Sequence, residues 1–306
     1  MPTIVTPALV SALFTGFRRE YQAGYDAMLL ESQWRRIAME IPSGTASNTY
    51  GWLGEAAGFR EWIGDRVING MKAHGYQIVN KDWELTQGVR RTTIEDDQLG
   101  IYAPLMRRIG EEAARLPDVL LFDLIKAGGA TLCFDGQFFF DTDHPVYPNH
   151  DGTGVAASVS NFTAGAAAPW YVLQTRGALR PFIVQMRQPP RFQNKTGQDA
   201  SDHVFMTNEY LYGADARLNV GFGFWQMAHK SQAALNADSL FAAITAMREL
   251  KADGGKPLGV MPDTLLVPPA LELQARKVLV AAQTDGGGSN VMQGVLPNLI
   301  VSARLA

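Results

Sequence analysis

The densest run of chemically competent side chains is Asp141-Thr142-Asp143-His144, with His150 and Asp151 close behind. Carboxylates and imidazoles are metal ligands, and several in one short stretch could hold a divalent cation and activate water on it. Asp141, Asp143, His144 and His150 are therefore the candidates for a metal-dependent hydrolase. The same residues have a plainer reading. Asp-x-Asp-His before Pro145 is an ordinary capped turn, in which the aspartates accept backbone N–H groups ahead of the proline. A catalytic metal also needs an open coordination position and oriented outer partners, and no distant His-Glu motif supplies them. The capped turn is the better account, with no metal and no cofactor assigned.

Other catalytic signatures are incomplete. Gly286-Gly287-Gly288-Ser289 lacks the Gly-Lys-Ser/Thr ending of a phosphate loop, and Gly221-x-Gly223 lacks the third glycine and following helix of a dinucleotide fingerprint. There is no Gly-x-Ser-x-Gly elbow. His74, His203 and His229 are scattered, and Cys133 reads as a small buried residue between Leu132 and Phe134. Without a convergent acid, base and nucleophile, the expectation is a protein that is not an enzyme.

The composition suits a packed protein with many turns: 306 residues, 46% hydrophobic, 30 Gly and 16 Pro. A net charge of −3 disfavours tight general binding to nucleic acid, which needs a basic excess. One cysteine excludes an internal disulfide. No basic-then-apolar leader is read in Met1–Val10, and no apolar run is long enough to span a bilayer.

The elements that must carry these residues follow from periodicity. Phe14, Phe17, Tyr21, Tyr25, Met28 and Leu29 form one face of a helix over 14–38, broken at Pro42-Ser43-Gly44. This reads as an N-terminal arm with one sticky face; the alternative is a first helix packed on its own core. Tyr50, Trp52, Phe59 and Trp62 among Gly51, Gly54, Gly58 and Gly64 suit a loop that docks elsewhere. Residues 76–91 read as strand, 93–116 as a long helix capped by Thr93 and stopped by Pro117, and Asp118–Ala127 as a second helix. Strands are expected at Trp170–Thr175, Pro181–Arg187, His203–Tyr212 and Leu218–Trp225, with a polar connection at Gln188–Ser201. A helix after Asp238-Ser239, a strand at Thr264–Val267, a helix opened by Pro268-Pro269 and a closing strand at Leu296–Arg304 suggest a small α/β layer.

Several stretches, in order, resemble the Mu-like phage major head subunit. They are Phe17-Arg18-Arg19-Glu20-Tyr21, Ile37–Pro42 leading to Tyr50–Gly54, Arg60–Arg66, Ile94–Asp97 with Gly100–Pro104, Asp135–Gln137 with Phe139–Pro145, Trp170–Leu173 and Leu266–Glu272. The resemblance implies an α+β fold of the Hong Kong 97 type, with an N-terminal arm (1–43), an extended loop (44–92), a peripheral domain (93–236) containing a spine helix (93–116), and an axial domain (237–306). It implies a capsid subunit that assembles with itself into hexamers and pentamers, making the icosahedral head that encloses double-stranded DNA. Scaffold, portal and decoration proteins are the expected partners, DNA contact is weak, and no membrane is involved. Assembly is expected in the host cytoplasm and the final location in the virion. Phe17, Tyr21, Tyr25, Trp52, Phe59 and Trp62 are the expected intersubunit contacts. The competing readings are the hydrolase above and another phage structural protein, such as a decoration or tail component.

Overall fold

The computed structural model describes residues 7–50, 75–95, 101–149, 152–196, 202–284 and 286–306. In chain order its elements are α1 (Pro7–Glu31), α2 (Trp34–Ile37), β1 (Ala38–Pro42), β2 (Ser47–Thr49), β3 (Gln77–Val79), β4 (Lys81–Arg90), α3 (Arg91–Glu95), α4 (Ala103–Lys126), β5 (His144–Val146), β6 (Ala157–Val159), β7 (Phe162–Thr163), β8 (Trp170–Leu173), β9 (Phe182–Lys195), α5 (Asp202–Thr207), β10 (Glu209–Phe222), β11 (Ala228–Ser231), α6 (Ala237–Arg248), β12 (Thr264–Val267), α7 (Glu272–Leu279) and β13 (Asn298–Val301).

Two sheets organise the chain. The first has strand order β1-β9-β10-β4, with β1 parallel to β9 and β10 antiparallel to both its neighbours. The second has order β13-β12-β8-β11-β7. Strands β8 and β12 are buried along their whole length, so they read as continuous apolar runs rather than alternating ones. The second sheet takes strands from before residue 236 as well as after it, so the axial boundary expected at 236/237 cuts through a hydrogen-bonded layer.

The long helix lies C-terminal to its expected place. It runs Ala103–Lys126 as one element with Pro117 inside, where 93–116 followed by a second helix was expected. Pro104 sits in its first turn, where no intrahelical N–H is needed. Pro117 removes one hydrogen bond without ending the helix, because Met106, Ile109, Ala113, Leu121, Phe122 and Ile125 continue one buried stripe across it. Thr93 falls instead in the short α3. Residues 202–207 are helical rather than strand, and β9 extends to Lys195 through the expected polar connection.

The principal core joins the C-terminal half of α4, both sheets, α6 and α7. Phe139 stacks on Phe222 at 4.1 Å between ring centroids, and Phe140 packs on Tyr171. Burying each such ring contributes roughly 1.5–3 kcal/mol. A second core lies between α1, the N-terminal half of α4 and β10. Here the helices touch backbone to backbone. A Cβ added to Gly24 would land on the Arg107 carbonyl, and one added to Gly110 on the Tyr21 carbonyl. By contrast, Gly16 of the same helix α1 has open space around it.

The two kinds of glycine should respond with opposite signs. Gly110→Ala is expected to lose about 1–3 kcal/mol in urea unfolding, because neither backbone can yield. Gly16→Ala is expected to gain up to about 1 kcal/mol, since it removes a glycine from an exposed helical position. Equal effects at both sites would contradict the close helix crossing.

Candidate assembly elements

The segment carrying Trp52, Phe59 and Trp62 lies outside the described residues, but both of its ends are described. Strands β2 and β3 pair antiparallel, Ser47 with Val79 and Thr49 with Gln77, and Tyr50 N–H donates to the Tyr76 carbonyl at 2.9 Å. The chain therefore leaves and returns at one root. Within the extension expected over 44–92, β4 (Lys81–Arg90) pairs with β10 in the first sheet.

The root is fixed by a buried polar network. Gln185 on β9 is fully buried and accepts from the Tyr50 hydroxyl at 2.7 Å through Oε1. Its Nε2 donates to the Ile78 carbonyl at 3.0 Å and to Asn80 Oδ1 at 2.8 Å. Asn80 Nδ2 in turn donates to Ser43 Oγ and the Thr45 carbonyl, both at 2.9 Å. The Tyr76 hydroxyl accepts from Phe222 N–H at 2.8 Å, and burial pushes that phenol up to about 12. A network with its members paired rigidifies; the same groups left unpaired would be costly. Sequence reading missed Ser43, Asn80 and Gln185. The one available signal was a glutamine between the apolar run Phe182-Ile183-Val184 and Met186.

The arm anchors behave differently from expectation. Phe17 and Tyr21 are buried, 6% and 2% exposed, within their own chain. Phe17 meets Tyr212 edge-on at 5.2 Å, Tyr21 lies 5.1 Å from Phe192, and Phe14 stacks on Phe192 at 5.5 Å. The β9–β10 hairpin presents aromatic rings that need covering, and the glycine crossing lets α1 come close enough to cover them. Phe17 and Tyr21, expected as intersubunit contacts, thus pack within their own chain, the alternative weighed for this helix. Tyr25 stacks on Tyr21 and stays half-exposed.

The far end of α1 is tethered as well. Asp118 of α4, 6% exposed, accepts from Ser32 Oγ at 2.9 Å, Gln33 N–H at 3.1 Å and Trp34 N–H at 2.7 Å. Burial raises its carboxyl from the ordinary value, and these three donors oppose the rise. The carboxylate supplies the start of α2 with acceptors that its own sequence lacks.

At the candidate metal stretch, Asp141 accepts from Thr142 N–H at 2.7 Å and Phe138 N–H at 3.3 Å, which is the capped turn. Asp143 is exposed, its carboxyl raised by a hydrogen bond shared with Asp141. His144 is committed to the interior, bonded to Asp135 at 2.7 Å and stacked on Trp225. His150 lies outside the described residues. No helix among the described residues is long and apolar enough to cross a membrane.

The model of the family described as "Mu-like prophage major head subunit gpT" matches residues 10–305. The chain belongs to this family. It is 45% identical to the major capsid protein of Escherichia phage Mu, over 99% of this chain and 100% of that one. It is 46% identical to the FluMu major head subunit of Haemophilus influenzae, over 90% of each. Among solved structures, it resembles the subunit in the procapsid of bacteriophage JBD30, with a TM-score of 0.84 and 48% identity over 98% of this chain and 100% of that one. It also resembles the subunit in the JBD30 capsid decorated with minor capsid protein trimers, with a TM-score of 0.77 and 38% identity over 99% and 100%. The α+β fold is the Hong Kong 97-like phage capsid fold, and the family is structural rather than enzymatic.

Loss of the root network is expected to be costly. Gln185→Leu removes one buried hydrogen bond each from the Tyr50 hydroxyl, the Asn80 side chain and the Ile78 carbonyl, and should lower stability by about 2–4 kcal/mol in urea unfolding. Tyr50→Phe removes one donor and should cost only about 1 kcal/mol. A near-neutral Gln185→Leu would show that the network does not hold the root.

Proposed function

We propose that this chain is the major capsid protein of a Mu-like phage, assembling into hexamers and pentamers that close into an icosahedral head around double-stranded DNA. The observation that carries this reading is membership of the head-subunit family across residues 10–305. Likeness to JBD30 shell subunits over almost the whole chain supports it.

A closed shell requires heterologous contacts repeated around its axes. A loop rich in aromatics and glycine, rooted on a stiff sheet, suits that need: the root fixes direction, and the rings supply apolar area to a neighbour. Trp52, Phe59 and Trp62 are the proposed loop anchors, with Tyr25 the arm residue that retains surface. Partners beyond the subunit itself are a scaffold, a portal and a decoration protein, the last by likeness to a capsid decorated with minor capsid protein trimers. A net charge of −3 favours an inner surface that holds DNA without gripping it. Assembly in the host cytoplasm precedes residence in the virion.

Electron microscopy of the protein expressed with its scaffold tests this reading. Shells of uniform size are expected from the wild type. Trp52→Ala combined with Trp62→Ala should abolish shells while leaving the subunit's melting temperature unchanged. Normal shells from the double variant would refute the loop anchors, and a small discrete oligomer from the wild type would refute the capsid reading.

A further inference from the structure

One buried cluster has no part in assembly as described above. It lies where the chain passes from α4 to β5. Leu132 pairs with Phe138, and the turn between them is closed by Gln137 accepting from Cys133 N–H and Cys133 accepting from Gly136 N–H. Gly136 takes a left-handed φ of 88°, which lets the turn close tightly. Cys133 Sγ donates to Asp135 Oδ1 at 3.0 Å, and His144 Nδ1 lies 2.7 Å from Asp135 Oδ2. Asp135 Oδ1 also accepts from Gln137 N–H at 3.0 Å. One potential ligand atom from each of Cys133, Asp135 and His144 lies within 4.8 Å of the others. The imidazole is fully buried and stacked on Trp225 at 3.9 Å and 8°, so its orientation is set, and its buried Nε2 has no hydrogen-bond partner.

We propose that Cys133, Asp135 and His144 form a structural binding site for one zinc-class divalent cation. Thiolate, carboxylate and imidazole are the donors that zinc takes, at about 2.0–2.3 Å, and Cys133, Asp135 and His144 supply three of its four tetrahedral positions. Charge supports the assignment. One thiolate and one carboxylate cancel the two positive charges, so the complex is neutral in a site where an unpaired charge would be costly. Without the ion, two hydrogens converge on the carboxylate in its place, one from the thiol and one from the ring. Burial and the adjacent Asp135 push the Cys133 thiol well up, so it keeps its proton. Burial also pushes on Asp135, but its hydrogen bonds from His144 and Cys133 hold it below the usual carboxylate range. On metal uptake the Cys133 proton leaves to solvent, one per ion, and the ring proton moves from Nδ1 to Nε2. The ion would clamp the turn 131–138 to the start of β5.

The full chain, stripped with a chelator and titrated with Co²⁺, tests the site. One tightly bound equivalent is expected, with a sulfur-to-cobalt charge-transfer band that Zn²⁺ abolishes by displacement. Because Cys133 is the only cysteine, any such band reports on this site. Cys133→Ser keeps a hydroxyl donor for Asp135, so it should fold normally and lose the band. A hundredfold excess of Zn²⁺ over its Kd should raise the wild-type melting temperature by about 4 °C and leave Cys133→Ser unmoved. Cobalt bound without a thiolate band, no binding at stoichiometric concentration, or an equal thermal shift in both proteins would each overturn the site.

Discussion

A segment can direct a contact only if its two ends cannot drift, and in this chain the paired strands β2 and β3 and the buried amide of Gln185 hold those ends. Gln185 sits fully buried in β9 and uses both ends of its side chain on the strands that open and close the extension, through Tyr50 on one side and Ile78 and Asn80 on the other. Because β9 also pairs with β1 and β10, the root inherits the stiffness of the first sheet. The energetic logic is asymmetric. Satisfied, the network adds modest net stability; with Gln185 removed, each of its partners would lose a hydrogen bond in a dry setting.

The same sheet decides the fate of the arm. The Phe192 and Tyr212 rings project from the β9–β10 hairpin, and α1 covers them with Phe14, Phe17 and Tyr21. Glycines at 24 and 110 bring α1 against α4, and Asp118 secures the turn after it. Arm, spine helix and hairpin therefore pack as one unit.

Much of this was legible in the sequence. The stripe in α1, the buried runs at Trp170–Leu173 and Thr264–Val267, and the proline-opened helix near residue 270 follow from periodicity and turn chemistry. The order of the short motifs pointed to the family. What was not legible depends on partners distant in sequence. Whether Phe17 faces its own chain or a neighbour is set by Phe192 and Tyr212, nearly two hundred residues away. Pro117 looked like a stop, yet the buried stripe on either side carries the helix through it. Gln185, Asn80 and Asp118 are polar residues in apolar settings. Their value lies in satisfying backbone and hydroxyl groups that only the folded chain brings near. Asp141 accepts the backbone N–H groups of Phe138 and Thr142, as a capped turn would have it, but the inward commitment of His144 to Asp135 leaves no trace in spacing alone.

The central claim is that aromatic side chains between β2 and β3 are completed by an adjacent subunit, whereas those of α1 are completed within the chain. A cryo-electron microscopy reconstruction of the assembled shell at side-chain resolution tests both halves at once. The account predicts Trp52, Phe59 and Trp62 seated on a neighbouring copy, with Phe17 and Tyr21 still covered by Phe192 and Tyr212 of the same copy. Those three loop rings packed inside their own subunit, with no contact across the boundary, would contradict it.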